Sequence, residues 1–240
     1  MAAQAFARSA PAPAGAMRKP ASEEVLDFEV QVASGEYATE FEVPGAVDIG
    51  SGAQRVRLAL GNASWPVTVK VQTTPQADAS AWLVAEMAPP AGVWPDGPLQ
   101  LLRGGQVVGE SVWRLGTRDR LRLPFGRDEQ VRVQVNPASQ KNTSAGFIGS
   151  RNERHVAHVY EVENRHRGAV LLEVLEASPV SEDERIVVTR QFDPAPQPGD
   201  WQDQPGIVAW QQTLAPGQKA RYTADYTIAS PKDLRVFDRR

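Results

Sequence analysis

The strongest constraint on this chain is a period of two. Between Arg154 and Arg190 the sequence RHVAHVYEVENRHRGAVLLEVLEASPVSEDERIVVTR puts Val156, His158, Tyr160 and Val162 on one side of an extended segment. Val170, Leu172, Val174 and Glu176 fall on one side of the next, with Leu171 and Leu175 opposite. Residues two apart on an extended chain share a face, so such a run buries one face and wets the other. A turn at Asn164–Gly168 and an acidic corner after Pro179 divide the stretch into three strands. The pattern reads as the central meander of an all-β domain.

The same alternation runs through the chain. Leu26, Phe28, Val30 and Val32 alternate with Asp27, Glu29 and Gln31, and Tyr37 to Val43 repeat the pattern. Strands are further expected at Val56–Leu60, Val67–Val71, Trp82–Met87 and Leu121–Phe125, then at Val131–Val135, Ile207–Trp210, Ala220–Ile228 and Leu234–Phe237. Leu99–Arg103 and Gln106–Trp113 flank Gly104–Gly105, the signature of a two-residue hairpin. Residues 136–152 are polar and read as a long loop, as do the proline-rich residues 193–205. No 3.6-residue apolar stripe exceeds two turns. The expected fold is therefore all-β with little helix: two consecutive antiparallel β-sandwich domains, residues 25–125 and 126–240, the second immunoglobulin-like, with one continuous sandwich as the alternative. Residues 1–24, rich in Ala and Pro, read as a linker.

Composition narrows the chemistry. Net charge is −3, which lacks the basic footprint of a nucleic-acid binder. The absence of cysteine excludes disulfides, a thiol nucleophile and cysteine-based zinc sites. No apolar run is long enough to span a membrane as a helix. His155 and His158 are three apart on one strand and point to opposite faces, while His158 and His166 can face each other across the turn. Two imidazoles do not close a metal site, so a cross-strand polar pair is expected and no metal or cofactor. Glu182, Asp183 and Glu184 beside Arg185 form an acidic corner that reads as a solvated turn with local ion pairing. Phe147 and Ile148, on a glycine-hinged loop near Arg151, are candidate partner contacts, as is the acidic corner. Trp65, Trp94 and Trp201 neighbour prolines or loops and are candidates for stacking on glycans, whereas Trp82, Trp113 and Trp210 fall in strand patterns and read as core. Asn62-Ala-Ser and Asn142-Thr-Ser match a short glycosylation pattern that also arises by chance.

Several phrases in succession then carry a resemblance. They are GPLQLLRGGQVVG at Gly97–Gly109, LPFGRD at Leu123–Asp128, GFIGSR at Gly146–Arg151 and YEVENRH at Tyr160–His166. PVSEDERI at Pro179–Ile186, GIVAW at Gly206–Trp210, LAPGQ at Leu214–Gln218, and Tyr226 with SPKD at Ser230–Asp233 complete the series. In this order the chain resembles the C-terminal domain of the mucoidy-inhibitor-A-like (MuiA) proteins, over roughly Val25 to Val236. The resemblance implies a domain of unknown function within a larger bacterial protein, preceded there by a small domain and a coiled coil through which it would oligomerise. It also implies an effect on exopolysaccharide and a place in the cell envelope or periplasm, and it carries over no catalytic residue. The expected function is a non-enzymatic β-sandwich interaction module with a protein partner; the alternative is an envelope polysaccharide-binding domain. An enzyme would need converging, pKa-shifted groups in a pocket that the sequence does not display.

Overall fold

The computed structural model describes residues 31–34, 39–43, 45–52, 56, 58–116, 119–145 and 151–234. Residues 1–24, Phe147, Ile148 and the segment 235–237 lie outside them. Nearly all the regular structure among the described residues is strand, as the alternation requires. In chain order the strands are β1 (Gln31–Ser34), β2 (Thr39–Glu42), β3 (Thr68–Thr74), β4 (Asp78–Met87), β5 (Gly97–Arg103), β6 (Gln106–Trp113) and β7 (Leu121–Arg127). They continue as β8 (Val131–Ala145), β9 (Arg151–Asn164), β10 (Val170–Ala177), β11 (Val187–Asp193), β12 (Ile207–Leu214) and β13 (Lys219–Pro231). A short 3-10 turn at Trp201–Asp203 is the one helical element among the described residues. None of their helices is long and apolar enough to cross a membrane.

The chain divides into two units, up to Ser64 and from Trp65 onward. The first contains the β1–β2 antiparallel pair. The expected strand at Val56–Leu60 is not formed by the described residues there, and Val56 and Leu58 are exposed. The second unit is a β-sandwich. One sheet has the order β12-β10-β3-β4-β7, the other β11-β13-β9-β8, and β5–β6 forms a separate ribbon.

The boundary expected near Pro124–Asp128 falls inside this unit. Strand β3 pairs in parallel with β10, Leu172 opposite Val71 and Val174 opposite Thr73, so one sheet draws strands from both sides of the expected division. The meander expected over residues 154–190 is also replaced. Strand β9 pairs with β13 and β8, whereas β10 crosses to the opposite sheet and β11 pairs with β13. A turn between two half-buried strands can fold them into one ladder or arch them across a core, and the alternation is the same for both. Asn164, fully buried, fixes the arch: its Nδ2 donates to the carbonyls of Gly168, Leu214 and Ala215, and its Oδ1 accepts from the His166 N–H.

The core lies between the sheets. Leu172 and Val174 of β10, Val71 of β3, and Val208, Trp210 and Leu214 of β12 meet Tyr160 and Val162 of β9, Val131 of β8, and Tyr222, Ala224 and Tyr226 of β13. Burying each aliphatic side chain contributes roughly 1.5–3 kcal/mol. Residues 136–145, expected as loop, extend β8 as strand paired to β9. The pairing shifts between Asn136 and Ser139, a bulge that contains Pro137, where a residue without an N–H leaves no broken ladder bond.

Candidate functional site

The alternation places Glu176 on the inward face of β10, in the line of Leu172 and Val174, and the residue is fully buried. A buried carboxylate requires donors. They come from the opposite sheet: the Tyr160 hydroxyl at 2.6 Å, the Tyr226 hydroxyl at 2.9 Å, and His158 Nδ1 at 2.8 Å. Burial, and then the charge of Glu176, push both tyrosines well above their ordinary value. They stay neutral donors. The carboxylate also selects the Nδ1–H form of His158. The cluster ties the two sheets together through side chains in the core and fixes their relative register.

The outward face of the five-stranded sheet carries a second polar assembly. Glu173 and Glu86 are both nearly buried there. Lys70 Nζ lies 3.0 Å from Glu86 and 3.4 Å from Glu173, and Arg122 donates to Glu86 at 3.2 Å and to Glu173 at 2.5 Å. Arg120 reaches Glu86 at 2.6 Å, and Gln72 donates to Glu173 at 3.3 Å. Burial pushes the Glu86 carboxyl up. Hydrogen bonds from Lys70 and Arg120 and the charges of Lys70 and Arg122 more than reverse this and hold it below the usual range. The members come from β3, β4, β10, Arg120 and β7, so the network closes around the parallel β3–β10 pairing. Removing one partner of such an assembly is costly because it strands the others.

Part of this face is covered by the proline-rich segment after β11. Gln197 N donates to the Ala209 carbonyl at 2.8 Å and its side chain to Gln211 at 2.9 Å, so the segment caps the exposed edge of β12. Trp201 lies against the Arg122 guanidinium, 4.9 Å from its ring centroid. Gln202 and Asp203, which follow it, adopt left-handed backbone (φ 50° and 57°), a strained arrangement for residues other than glycine.

Next to the network, toward β7, a cleft of about 300 Å³ opens between Gln72, Thr73, Thr74, Asp78, Trp82, Val84 and Pro124. Trp82 pairs with Gln72 and is therefore on the outward face, 39% exposed rather than in the core as its strand pattern suggests. The run Ala-Trp-Leu-Val-Ala is apolar at both parities, so the sequence does not show which parity is buried. The Arg127 guanidinium sits 6.0 Å from the Trp82 centroid and donates to Ser80 Oγ, which donates in turn to Asp78 Oδ1 at 2.8 Å.

The β5–β6 ribbon turns at Gly104–Gly105, both with positive φ (58° and 80°), the geometry that two glycines supply. A bulge at Leu101–Leu102 brings Leu102 opposite Val107, while Pro98 pairs with Val112 and Gln100 with Glu110. One face packs toward β7, with Leu101 buried and Val108 against Gly126. The other exposes Pro98, Gln100, Leu102, Val107, Glu110 and Val112 together, with Leu102, Val107 and Val112 each more than half exposed.

The residues singled out from sequence have separate fates. Trp65 stacks on Trp113 (centroids 6.2 Å, planes 19° apart) and meets Trp94 edge-on (5.4 Å, 82°), while Trp201 lies apart on Arg122. Trp113 is half-buried, and Trp210 is core, with its Nε1–H donating to the Pro194 carbonyl at 2.6 Å. His166 pairs with Asp128 at 2.8 Å instead of facing His158, and His155 pairs with Thr227 at 3.0 Å. Asp183 and Arg185 form an exposed pair at 2.7 Å, and hydrogen bonds from the Arg185 side chain and N–H hold the Asp183 carboxyl down at about 2. Glu182 and Glu184 are exposed, and Arg151 donates to the Arg185 carbonyl at 3.4 Å. Among the described residues no group of three or more His, Asp or Glu is placed to hold a metal ion. Trp82, Leu102, Val107 and Val112 were missed because exposure depends on which parity of a doubly apolar strand meets the core.

A two-sheet β-sandwich with buried ionic assemblies on both faces of one sheet is the class that fold and site define. Residues 7–232 match the family model described as a domain of unknown function (DUF4139), and the chain belongs to that family. It is also similar to Protein F37C4.5 of Caenorhabditis elegans, 22% identical over 213 residues that cover 84% of this chain and 38% of that protein. The chain thus spans well under half the length of this curated relative. No solved structure matches.

Proposed function

We propose that this chain is a non-enzymatic β-sandwich interaction module, one part of a longer MuiA-like polypeptide, and that it binds a protein partner through the outward face of the β5–β6 ribbon. The observation that carries this reading is the shared exposure of Leu102, Val107 and Val112 on one side of a two-stranded ribbon. Exposed apolar side chains gathered on one face mark contact surfaces more often than isolated ones do. The ribbon is anchored by Leu101 on its inner side, so its outer face is presented by a fixed element and little conformational freedom is lost on binding. Among the described residues the ribbon is a two-stranded sheet, whose outer edges offer backbone groups for strand addition.

A photoreactive amino acid at Val107, in the full-length protein in its source cells, tests the reading. A discrete protein adduct is expected from Val107 and not from Val187 on β11, which is also exposed, and Leu102→Glu removes it. Identical adducts from both positions, or one that survives Leu102→Glu, would refute the assignment. A saccharide reading draws on Trp82 instead of Trp65, Trp94 or Trp201.

A further inference from the structure

We propose that the cleft beside Trp82 is a binding site for a pyranose ring of a neutral saccharide, a function separate from the protein contact assigned to the ribbon. The cleft has two chemically different sides. Its apolar lining is Trp82 and Val84 of β4 with Pro124 opposite Val84 on β7, and its polar lining includes Gln72 and Thr74 of β3 with Asp78 opposite Thr74. A pyranose has the matching asymmetry: a face of C–H groups that stacks on an indole, and a rim of hydroxyls that donates to carboxylate and amide oxygens. A purely apolar ligand would strip water from Asp78 and Gln72 without replacing it. The volume, about 300 Å³, is at the small end of ligand pockets and suits one ring with part of its neighbour.

Preorganisation supports the assignment. Ser80 Oγ accepts from Arg127 and donates to Asp78 Oδ1, and the Arg127 guanidinium lies over Trp82. One chain of contacts, Asp78–Ser80–Arg127–Trp82, therefore holds both the carboxylate and the indole before any ligand arrives. It uses Asp78 Oδ1 only. Among the described residues Asp78 Oδ2 and Trp82 Nε1 make no side-chain hydrogen bond, which leaves an acceptor and a donor for adjacent hydroxyls. Charge sets the class. The Asp78 carboxylate disfavours an acidic sugar, and Arg127, fixed on the indole, disfavours a cationic ligand such as a quaternary ammonium, which aromatic rings otherwise attract.

Saturation-transfer difference NMR on the intact chain, with maltotriose, cellotriose and fully N-acetylated chitotriose as separate probes, tests the site. At least one is expected to receive saturation, concentrated on the C–H protons of one ring face. Trp82→Ala abolishes it, and Asp78→Asn, which keeps the acceptor for Ser80, weakens binding about tenfold, or ~1.4 kcal/mol. Thermal melts check that each variant folds. If Trp82→Ala does not, the exposed Asp78→Asn decides by itself. No transfer to any of the three probes, or transfer undiminished in the folded variants, overturns the proposal.

Discussion

Replacing Glu176 isolates the largest polar commitment in the core. The carboxylate is fully buried and accepts from Tyr160 (2.6 Å), His158 (2.8 Å) and Tyr226 (2.9 Å). In Glu176→Ala two hydroxyls and an imidazole N–H lose their acceptor inside the protein, at about 1–3 kcal/mol per stranded group, and a cavity is left where the side chain was. Such losses overlap when groups share one partner, so the expected cost is about 4 kcal/mol, a large share of a domain's stability. Glu176→Gln keeps the volume and one acceptor, and the tyrosine hydroxyls can rotate to accept from the new amide, so about 2 kcal/mol is expected. Tyr226→Phe removes one donor and leaves the carboxylate two, at about 1.5–2 kcal/mol. Combining it with Tyr160→Phe should cost at least ~0.5 kcal/mol more than the sum, because the second removal leaves the charge with His158 alone. Urea unfolding followed by tryptophan fluorescence measures each value, with Trp210 in the same core as reporter. A cost for Glu176→Ala below about 1 kcal/mol, or a Gln variant as unstable as the Ala variant, would show that the carboxylate is not the desolvated hub described here.

Two further outcomes follow from the same geometry. Burial, and for two of them the charge of Glu176, raise Tyr160 and Tyr226 well above 10, and burial pushes Tyr222 up to about 12. An unfolded tyrosine releases its proton first as pH rises past 10, so this stability is fully present below that pH and is lost as pH climbs through the folded values. The expected slope is about 1.4 kcal/mol per pH unit for each tyrosine, and Tyr226→Phe should reduce it by about a third in alkaline unfolding titrations; a pH-independent stability between 10 and 12 would contradict this. Gly206 has φ +80°, and a Cβ there would lie 2.8 Å from Val180 Cγ1 and 2.9 Å from the Ser178 carbonyl. Gly206→Ala should cost ~2 kcal/mol or more, whereas Gly217→Ala, with φ +72° and open space, should cost only about 1, the backbone part, as read by calorimetric melting.

Much of the architecture was legible because period two survives any tertiary arrangement. The hairpin at Gly104–Gly105, the turn at Asn164–Gly168, the inward set Val156, His158, Tyr160 and Val162, and the buried side of β10 down to Glu176 all follow from alternation and turn chemistry. The local Asp183–Arg185 pair was legible for the same reason, since two residues apart need no fold to meet. The extent of β8 was not, because a polar run has no apolar parity to betray a strand, and its partner β9 supplies the pattern instead.

Sequence by itself therefore settled that this chain folds as strands, which residues share a face, and where most of the turns fall; these depend on neighbours one to four residues away. Which strands pair, and which of two apolar faces is buried, belonged to the tertiary structure. The parallel β3–β10 pairing, the crossing of β10 to the sheet opposite β9, the outward placement of Trp82, and the meeting of Lys70, Glu86, Arg122 and Glu173 join residues separated by up to 103 positions. Those contacts are chosen by the burial of the whole core and the pairing of its charges, energies that no local window of the sequence contains.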